Sequence, residues 1–149
     1  MVGRLDRPYA MDQLPATDLL DVGITAMRVP EARELSEKER VLLEQLLLHG
    51  TAESRSYVEQ LSRVTVASRC GCGCPTIDLA VAGRIAPPGS PTVILSEAGG
   101  VSPEGISFGV ILHGREGLLS ELEVYPIEGD AVFTLRTSIR LSFTKPFWP

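Results

Sequence analysis

The sequence predicts an α+β fold, in which an N-terminal helical hairpin packs on an antiparallel sheet of five to six strands. Two features predict it. Apolar residues recur at helical spacing between residues 36 and 63, and they alternate in short β-branched runs from residue 64 onward. These runs follow one another without helices between them, which favours antiparallel pairing. A chain of 149 residues is long enough for one domain with a sizeable core.

The chain is expected to begin with an extension. Residues 1–26 combine prolines with scattered aspartates and show no sustained periodicity, which is typical of a poorly structured N-terminal segment. Met27 opens a segment that looks like the natural start of a domain. We therefore expect a single α+β domain over residues 27–149.

Local signals place the two helices. Ser36 followed by Glu39 forms a capping-box pattern, which predicts a helix start at that point. Leucines at helical spacing continue to His49, and Gly50 is a typical C-terminal stop. Thr51 then caps a second helix over residues 52–63, so that the two form a tight αα-hairpin.

Six runs rich in β-branched or aromatic residues predict the strands. They cover residues 64–68, 75–81, 91–96, 106–113, 118–125 and 131–143. The clearest hairpin pairs the fourth run with the fifth through HGREG, where Gly114 and Gly117 can take positive φ. In the fifth run, strict alternation directs one set of side chains to the core, namely Leu118, Leu122 and Val124. The opposite set comprises Leu119, Glu121, Glu123 and Tyr125.

Composition excludes several classes of partner. With 14 basic and 19 acidic residues, the net charge is −5 and no basic patch is visible, so nucleic-acid binding is not expected. The longest uncharged run, residues 85–96, contains three prolines and cannot cross a membrane as a helix. Three crowded cysteines do not form the paired framework of a secreted disulfide scaffold, and no signal peptide is evident. The sequence predicts a cytoplasmic protein.

The CGCGCP segment holds all three cysteines, Cys70, Cys72 and Cys74. In a flat strand, residues two apart lie about 6.6–6.8 Å apart on one face, too far for neighbouring sulfurs to share a metal ion. Gly71 and Gly73 would permit the chain to curl. The segment therefore predicts either a zinc or thiol-redox site, or a glycine-rich bulge with small buried cysteines. A fourth zinc ligand could come from His49, His113 or Asp78.

Two further groups are candidate binding residues. Glu121 and Glu123 lie two apart on one strand face, with Tyr125 following, and paired carboxylates can serve as acid and base. The alternative is a solvated edge, since charged side chains are mostly exposed. Trp148 lies in the aromatic C-terminal segment, which either packs on the sheet or offers a hook for a partner.

Three motifs resemble a family of small uncharacterised bacterial proteins. The chain has Arg40 after LSEKE near the start of its first helix, CGCGCPTID over residues 70–78 and LLSELEVY over residues 118–125. The family is similar in its MRxLxxxER-like helix, its CxCGCPT(I/V)D segment and its LEVY hairpin. The resemblance covers about four-fifths of the chain from Met27 onward, and it implies no particular activity.

Function remains divided between three hypotheses. No catalytic constellation stands out, so the first is a non-enzymatic cytoplasmic binding or accessory protein whose partner is another protein or a second copy of itself. The second is a metal-binding or thiol-switch protein that uses the CGCGCP cysteines, with zinc as the possible metal. The third is a small enzyme with a carboxylate site at Glu121, Glu123 or Asp78, which requires these groups to converge with perturbed pKa values.

Overall fold

A computed structural model describes residues 28–129, residue 133 and residues 141–143. It confirms the mixed α+β class, with a six-stranded antiparallel sheet and two helices. The strands are β1 (Arg28–Glu34), β2 (Val64–Cys70), β3 (Ile77–Val81), β4 (Thr92–Val101), β5 (Ser107–Arg115) and β6 (Leu118–Pro126). The helices are α1 (Glu37–Leu48) and a 3₁₀ helix, η1 (Ala52–Arg63). The extension expected over residues 1–26 lies outside the described residues.

The strands lie in the order β1-β2-β3-β6-β5-β4. Five of them coincide with predicted runs, but β1 was not predicted, and it precedes the helical hairpin. The expected N-terminal position of the hairpin is therefore wrong within the described part of the chain. The sixth predicted run, residues 131–143, lies mostly outside that part, and its Ser142 exchanges two backbone hydrogen bonds with Gly99 on β4.

Helix α1 begins as its capping box predicts. The Glu39 amide donates to Ser36 Oγ at 3.2 Å, and the Ser36 amide donates to Glu39 Oε1 at 2.8 Å. The helix then buries a row of leucines against the sheet, which consists of Leu42, Leu43, Leu46 and Leu47. The core therefore lies between the helices and one face of the sheet, which we call the helix-side face; the other is the outer face.

The second helix is a 3₁₀ helix rather than the predicted α-helix. Its serines explain part of the difference, because their hydroxyls compete for backbone carbonyls three residues earlier. Ser54 Oγ donates to the Thr51 carbonyl at 2.7 Å, and Ser56 Oγ donates to the Glu53 carbonyl at 2.8 Å. Thr51 does not cap η1 with its side chain, and its hydroxyl and amide both donate to the Leu95 carbonyl instead.

A β-bulge makes part of the predicted assignment of β6 side chains to the two faces of the sheet wrong. The register between β5 and β6 shifts where His113 pairs with Glu121 and Gly114 pairs with Leu119, which leaves Ser120 without a partner. Leu119 is consequently buried and Leu118 only half-buried, the reverse of strict alternation. Beyond the bulge the alternation holds, so Glu121, Glu123 and Tyr125 lie on the outer face.

The turn between β5 and β6 also differs in one residue from the prediction. Gly117 has the expected positive φ, but its companion is Glu116, at φ 52°. Gly114 lies within β5 and is needed for space, since a Cβ there would lie 3.1 Å from Leu95 Cδ1 and 3.2 Å from the Tyr57 hydroxyl.

Candidate metal centre

The three cysteines converge at the connection between β2 and β3. The sulfur atoms of Cys70, Cys72 and Cys74 all lie within 4.8 Å of one another, and those of Cys70 and Cys72 are 2.8 Å apart. In a tetrahedral zinc site with Zn–S bonds of 2.3 Å, two sulfurs lie about 3.8 Å apart. Small movements of the thiols would therefore bring all three to a common ion.

The backbone produces this convergence by curling, as the glycines permit. Strand β2 ends at Cys70, whose amide donates to the Thr76 carbonyl at 3.1 Å and closes the connection into a loop. Inside the loop, the Gly73 amide donates to the Cys70 carbonyl at 3.4 Å, and Gly73 has φ 91°. Only glycine adopts that conformation readily. The Cys74 amide points back to Cys72 Sγ at 3.5 Å.

The thiols are accessible, which contradicts the alternative of small buried cysteines. Cys72 is exposed, and Cys70 and Cys74 are half-buried; all three are free of disulfide bonds. A thiol cluster at the surface can be reached by ions and by other thiols, whereas buried structural cysteines are inert. The geometry therefore supports chemistry at this loop.

None of the proposed fourth ligands joins the cluster. His49 packs against Phe143 in a tilted arrangement, with ring centroids 4.7 Å apart. His113 Nε2 lies 2.9 Å from Glu123 Oε1, and Asp78 Oδ2 accepts a hydrogen bond from Ser68 Oγ at 2.5 Å. Among the described residues, the group of potential ligands at this loop consists of the three cysteines alone.

The base of the loop is fastened to the middle of the sheet by Thr76. Its buried hydroxyl accepts from the Val124 amide and donates to the Val124 carbonyl, both at 2.9 Å. The side chain thus takes the place of a strand partner for β6. Residues 71–75 of the loop project from the sheet between Cys70 and Thr76. The position of the loop relative to the sheet is therefore set by Thr76 and by the Cys70 amide.

The outer face carries a group of paired charges that includes the three carboxylates of the enzyme hypothesis, Asp78, Glu121 and Glu123. Arg28 Nη2 donates to Glu121 Oε2 at 2.8 Å, and its Nε lies 3.4 Å from Asp78 Oδ2. Burial raises the pKa of Glu121, with Asp78 and Glu123 acting in the same direction, while the charges of His113 and Arg28 oppose the rise. Glu121 and Glu123 do not act as a matched pair, because Glu123 contacts His113 instead.

The ring of Tyr125 lies over Gly109 on the outer face. A Cβ on Gly109 would come within 2.8 Å of Tyr125 Cε2 and 2.5 Å of its hydroxyl, so the glycine leaves room for the ring. Burial raises the pKa of Tyr125, and the carboxylates of Glu97 and Glu123 add to the rise. Trp148, the remaining candidate, lies outside the described residues.

Sequence reasoning missed a cavity that adjoins the cysteine loop on the helix-side face. It has a volume of about 290 Å³, and Gly73, Cys74 and Pro75 form one wall. The other walls carry three cations and one acid, which are Arg33, Lys38, Arg69 and Glu39. Arg69 directly precedes Cys70, but Arg33, Lys38 and Glu39 are distant from the cysteines in sequence, and the pairing of β1 with β2 brings them to the loop. Recognition of β1 as a strand would have been the signal.

No protein family, curated protein or solved structure matches the chain. Of the helices that the structure describes, none is both long enough and apolar enough to span a bilayer.

Proposed function

We propose that the protein binds one thiophilic metal ion, zinc in the first place, through the thiolates of Cys70, Cys72 and Cys74. The observation that supports it is the convergence of three accessible sulfurs within 4.8 Å at one loop. Thiolate ligands favour Zn(II) and Cu(I) over harder cations. Zn(II) has no geometric preference from its d electrons and so tolerates three protein ligands with an open fourth position.

The test is to purify the protein without chelator and to measure bound metals by elemental analysis. We expect one zinc per chain and release of three titratable thiols when a chelator removes it. Substitution with Co(II) should produce a sulfur-to-cobalt charge-transfer band. A protein that takes up neither ion at micromolar concentration would overturn the proposal.

Variants separate binding from folding. Cys72→Ser should weaken zinc by roughly 100-fold or more, since a ligand contributes at least as much as its supporting partners. Ser90→Ala removes an exposed hydroxyl whose hydrogen bond lies in the Pro87 turn, and it serves as a control that should leave zinc affinity unchanged. The urea midpoint of the metal-free Cys72→Ser variant should equal that of the metal-free parent.

A second candidate, a thiol switch, is favoured by the 2.8 Å contact between the sulfurs of Cys70 and Cys72. In that reaction the two thiols form one disulfide and release two protons and two electrons, which reduce an external disulfide to two thiols. Titration of the metal-free protein with oxidised glutathione should lower the number of protein thiols, counted after the glutathione is removed, from three to one. A count that stays at three across the titration would refute this candidate.

The hypothesis of a cytoplasmic accessory protein that binds another protein stays a prediction. The carboxylate enzyme also stays a prediction, and its weakest point is that Glu121 already pairs with Arg28.

A further inference from the structure

The cavity beside the cysteine loop has room for a small ligand. Its volume of about 290 Å³ is close to the lower limit for ligand pockets. Cys74 belongs both to this wall and to the thiol cluster. A ligand in the cavity would therefore lie beside any ion held by the cysteines.

The charges around the cavity leave a positive surplus. Arg33 binds both oxygens of Glu39 at 2.9 Å, so that pair is internally balanced. Glu31 accepts from Arg33 Nε and from Arg69 Nε, which uses only one nitrogen of Arg69. Within the described residues Lys38 forms no ion pair. Three cations thus face two carboxylates, in a chain whose net charge is −5.

The metal site itself requires a further ligand. Zinc is almost always four-coordinate, and the described residues supply three sulfurs. Three thiolates on Zn(II) leave a net charge of −1, which would repel an anionic fourth ligand. Cations in an adjoining cavity offset that repulsion, and the positive end of helix α1 at Ser36 and Lys38 acts in the same direction.

We propose that this cavity binds a low-molecular-mass thiol that carries a carboxylate, with the sulfur on the metal and the carboxylate near Lys38 and Arg69. On binding, the thiol loses its proton to solvent, a metal–sulfur bond forms and a water molecule leaves the fourth position. The inference rests on the proposed metal site. It assigns the cavity a function that the cysteines alone do not require.

The experiment uses the full chain loaded with Co(II) and the probe 3-mercaptopropionate. We expect the charge-transfer absorbance to rise by roughly one third, as three cobalt–sulfur bonds become four. Propionate lacks the thiol and should cause no rise, while 2-mercaptoethanol lacks the carboxylate and should bind about tenfold more weakly. That factor corresponds to one charge-assisted hydrogen bond.

Variants locate the binding site of the carboxylate. Lys38→Gln should raise the dissociation constant of 3-mercaptopropionate about tenfold and leave that of 2-mercaptoethanol unchanged. Arg55→Gln removes an exposed arginine on η1, away from the cavity, and is the matched control that should change neither.

The outcomes separate the two proposals. A tris-thiolate cobalt spectrum that does not respond to 3-mercaptopropionate would overturn the inference and leave the metal site standing. Equal affinity for both thiols, or no effect of Lys38→Gln, would refute the role of the cavity. If no thiolate spectrum forms at all, the metal site fails and this inference fails with it.

Discussion

Alanine at Gly109 should destabilise the protein through one neighbour, the ring of Tyr125. The new Cβ would lie 2.5 Å from the phenol oxygen and 2.8 Å from Cε2. Real Cβ contacts are longer, so the ring must leave its place on the outer face. The backbone of Gly109 does not have positive φ, and alanine itself is compatible with the strand.

The cost follows from the area that the ring covers. Tyr125 is 36% exposed, so about two-thirds of a side chain that buries 150–250 Å² is covered. Full release of the ring would cost about 2.5–4 kcal/mol at about 25 cal/mol per Å², which is an upper limit. Replacement of glycine returns about 0.5–1 kcal/mol by lowering the entropy of the unfolded chain. We therefore expect a net loss of about 1–3 kcal/mol.

Urea unfolding followed by far-UV circular dichroism measures this loss. In a Tyr125→Ala background the same Gly109→Ala change should be neutral or stabilise by about 0.5 kcal/mol, because the clash has gone. In the single variant, the pKa of any displaced Tyr125 should return toward 10, as followed by ultraviolet titration. A Gly109→Ala cost that is equal with and without Tyr125 would refute the reasoning.

Three further outcomes are expected. Burial would raise the pKa of Glu39, but hydrogen bonds from Arg33 and from the Ser36 amide outweigh it and lower that pKa below 4.5. The contribution of Glu39 to the free energy of unfolding is therefore present above pH 4.5 and is lost as the pH falls. Glu39→Gln should lower that free energy by about 2 kcal/mol at pH 7, as measured by urea unfolding. The control Glu37→Gln, in the exposed part of the first turn, should lower it by under about 0.5 kcal/mol. Burial raises the pKa of Glu121 above 4.5, so the folded chain binds more protons there than the unfolded chain and loses stability as the pH rises above 4.5. Glu121→Gln should therefore flatten the dependence of stability on pH above pH 4.5. An unchanged slope in this variant would contradict the reasoning. Gly50→Ala would place a Cβ against the Leu95 carbonyl and within 2.8 Å of Ser96 Cβ, so it should lower the free energy of unfolding by about 3 kcal/mol in thermal unfolding. In the control Gly99→Ala the nearest atom lies at 3.6 Å, and the loss should be under about 1 kcal/mol.

Local signals in the sequence were sufficient for much of the fold. Ser36 and Glu39 contact each other within one turn, so their capping box is readable without tertiary information. Strand β1 was not readable, because Pro30 and its alternating charges are atypical of a strand, and only pairing with β2 defines it. The bulge at Ser120 likewise depends on the partner strand and reverses two residues in β6.

The candidate site was predictable in its residues and not in its surroundings. The three cysteines and the glycines that curl them are adjacent in sequence, so their convergence is a local property. The cations of the cavity come from β1, α1 and β2, and they meet through tertiary packing. The fourth ligand was wrongly sought in His49, His113 and Asp78, which the fold directs elsewhere.

The closure of the cysteine loop has a consequence for how a metal ion would bind and dissociate. The hydrogen bond from the Cys70 amide to the Thr76 carbonyl closes the loop at its base. Cys72 and Cys74 therefore lie outside the strands, and Cys70 occupies the last position of β2, where its partner is Arg28. Loading and unloading of a metal would then be local events that need no refolding. The residence time of the metal ion would be governed by ligand exchange at the exposed cysteine loop. That property suits temporary storage or transfer of the ion more than a permanent structural role.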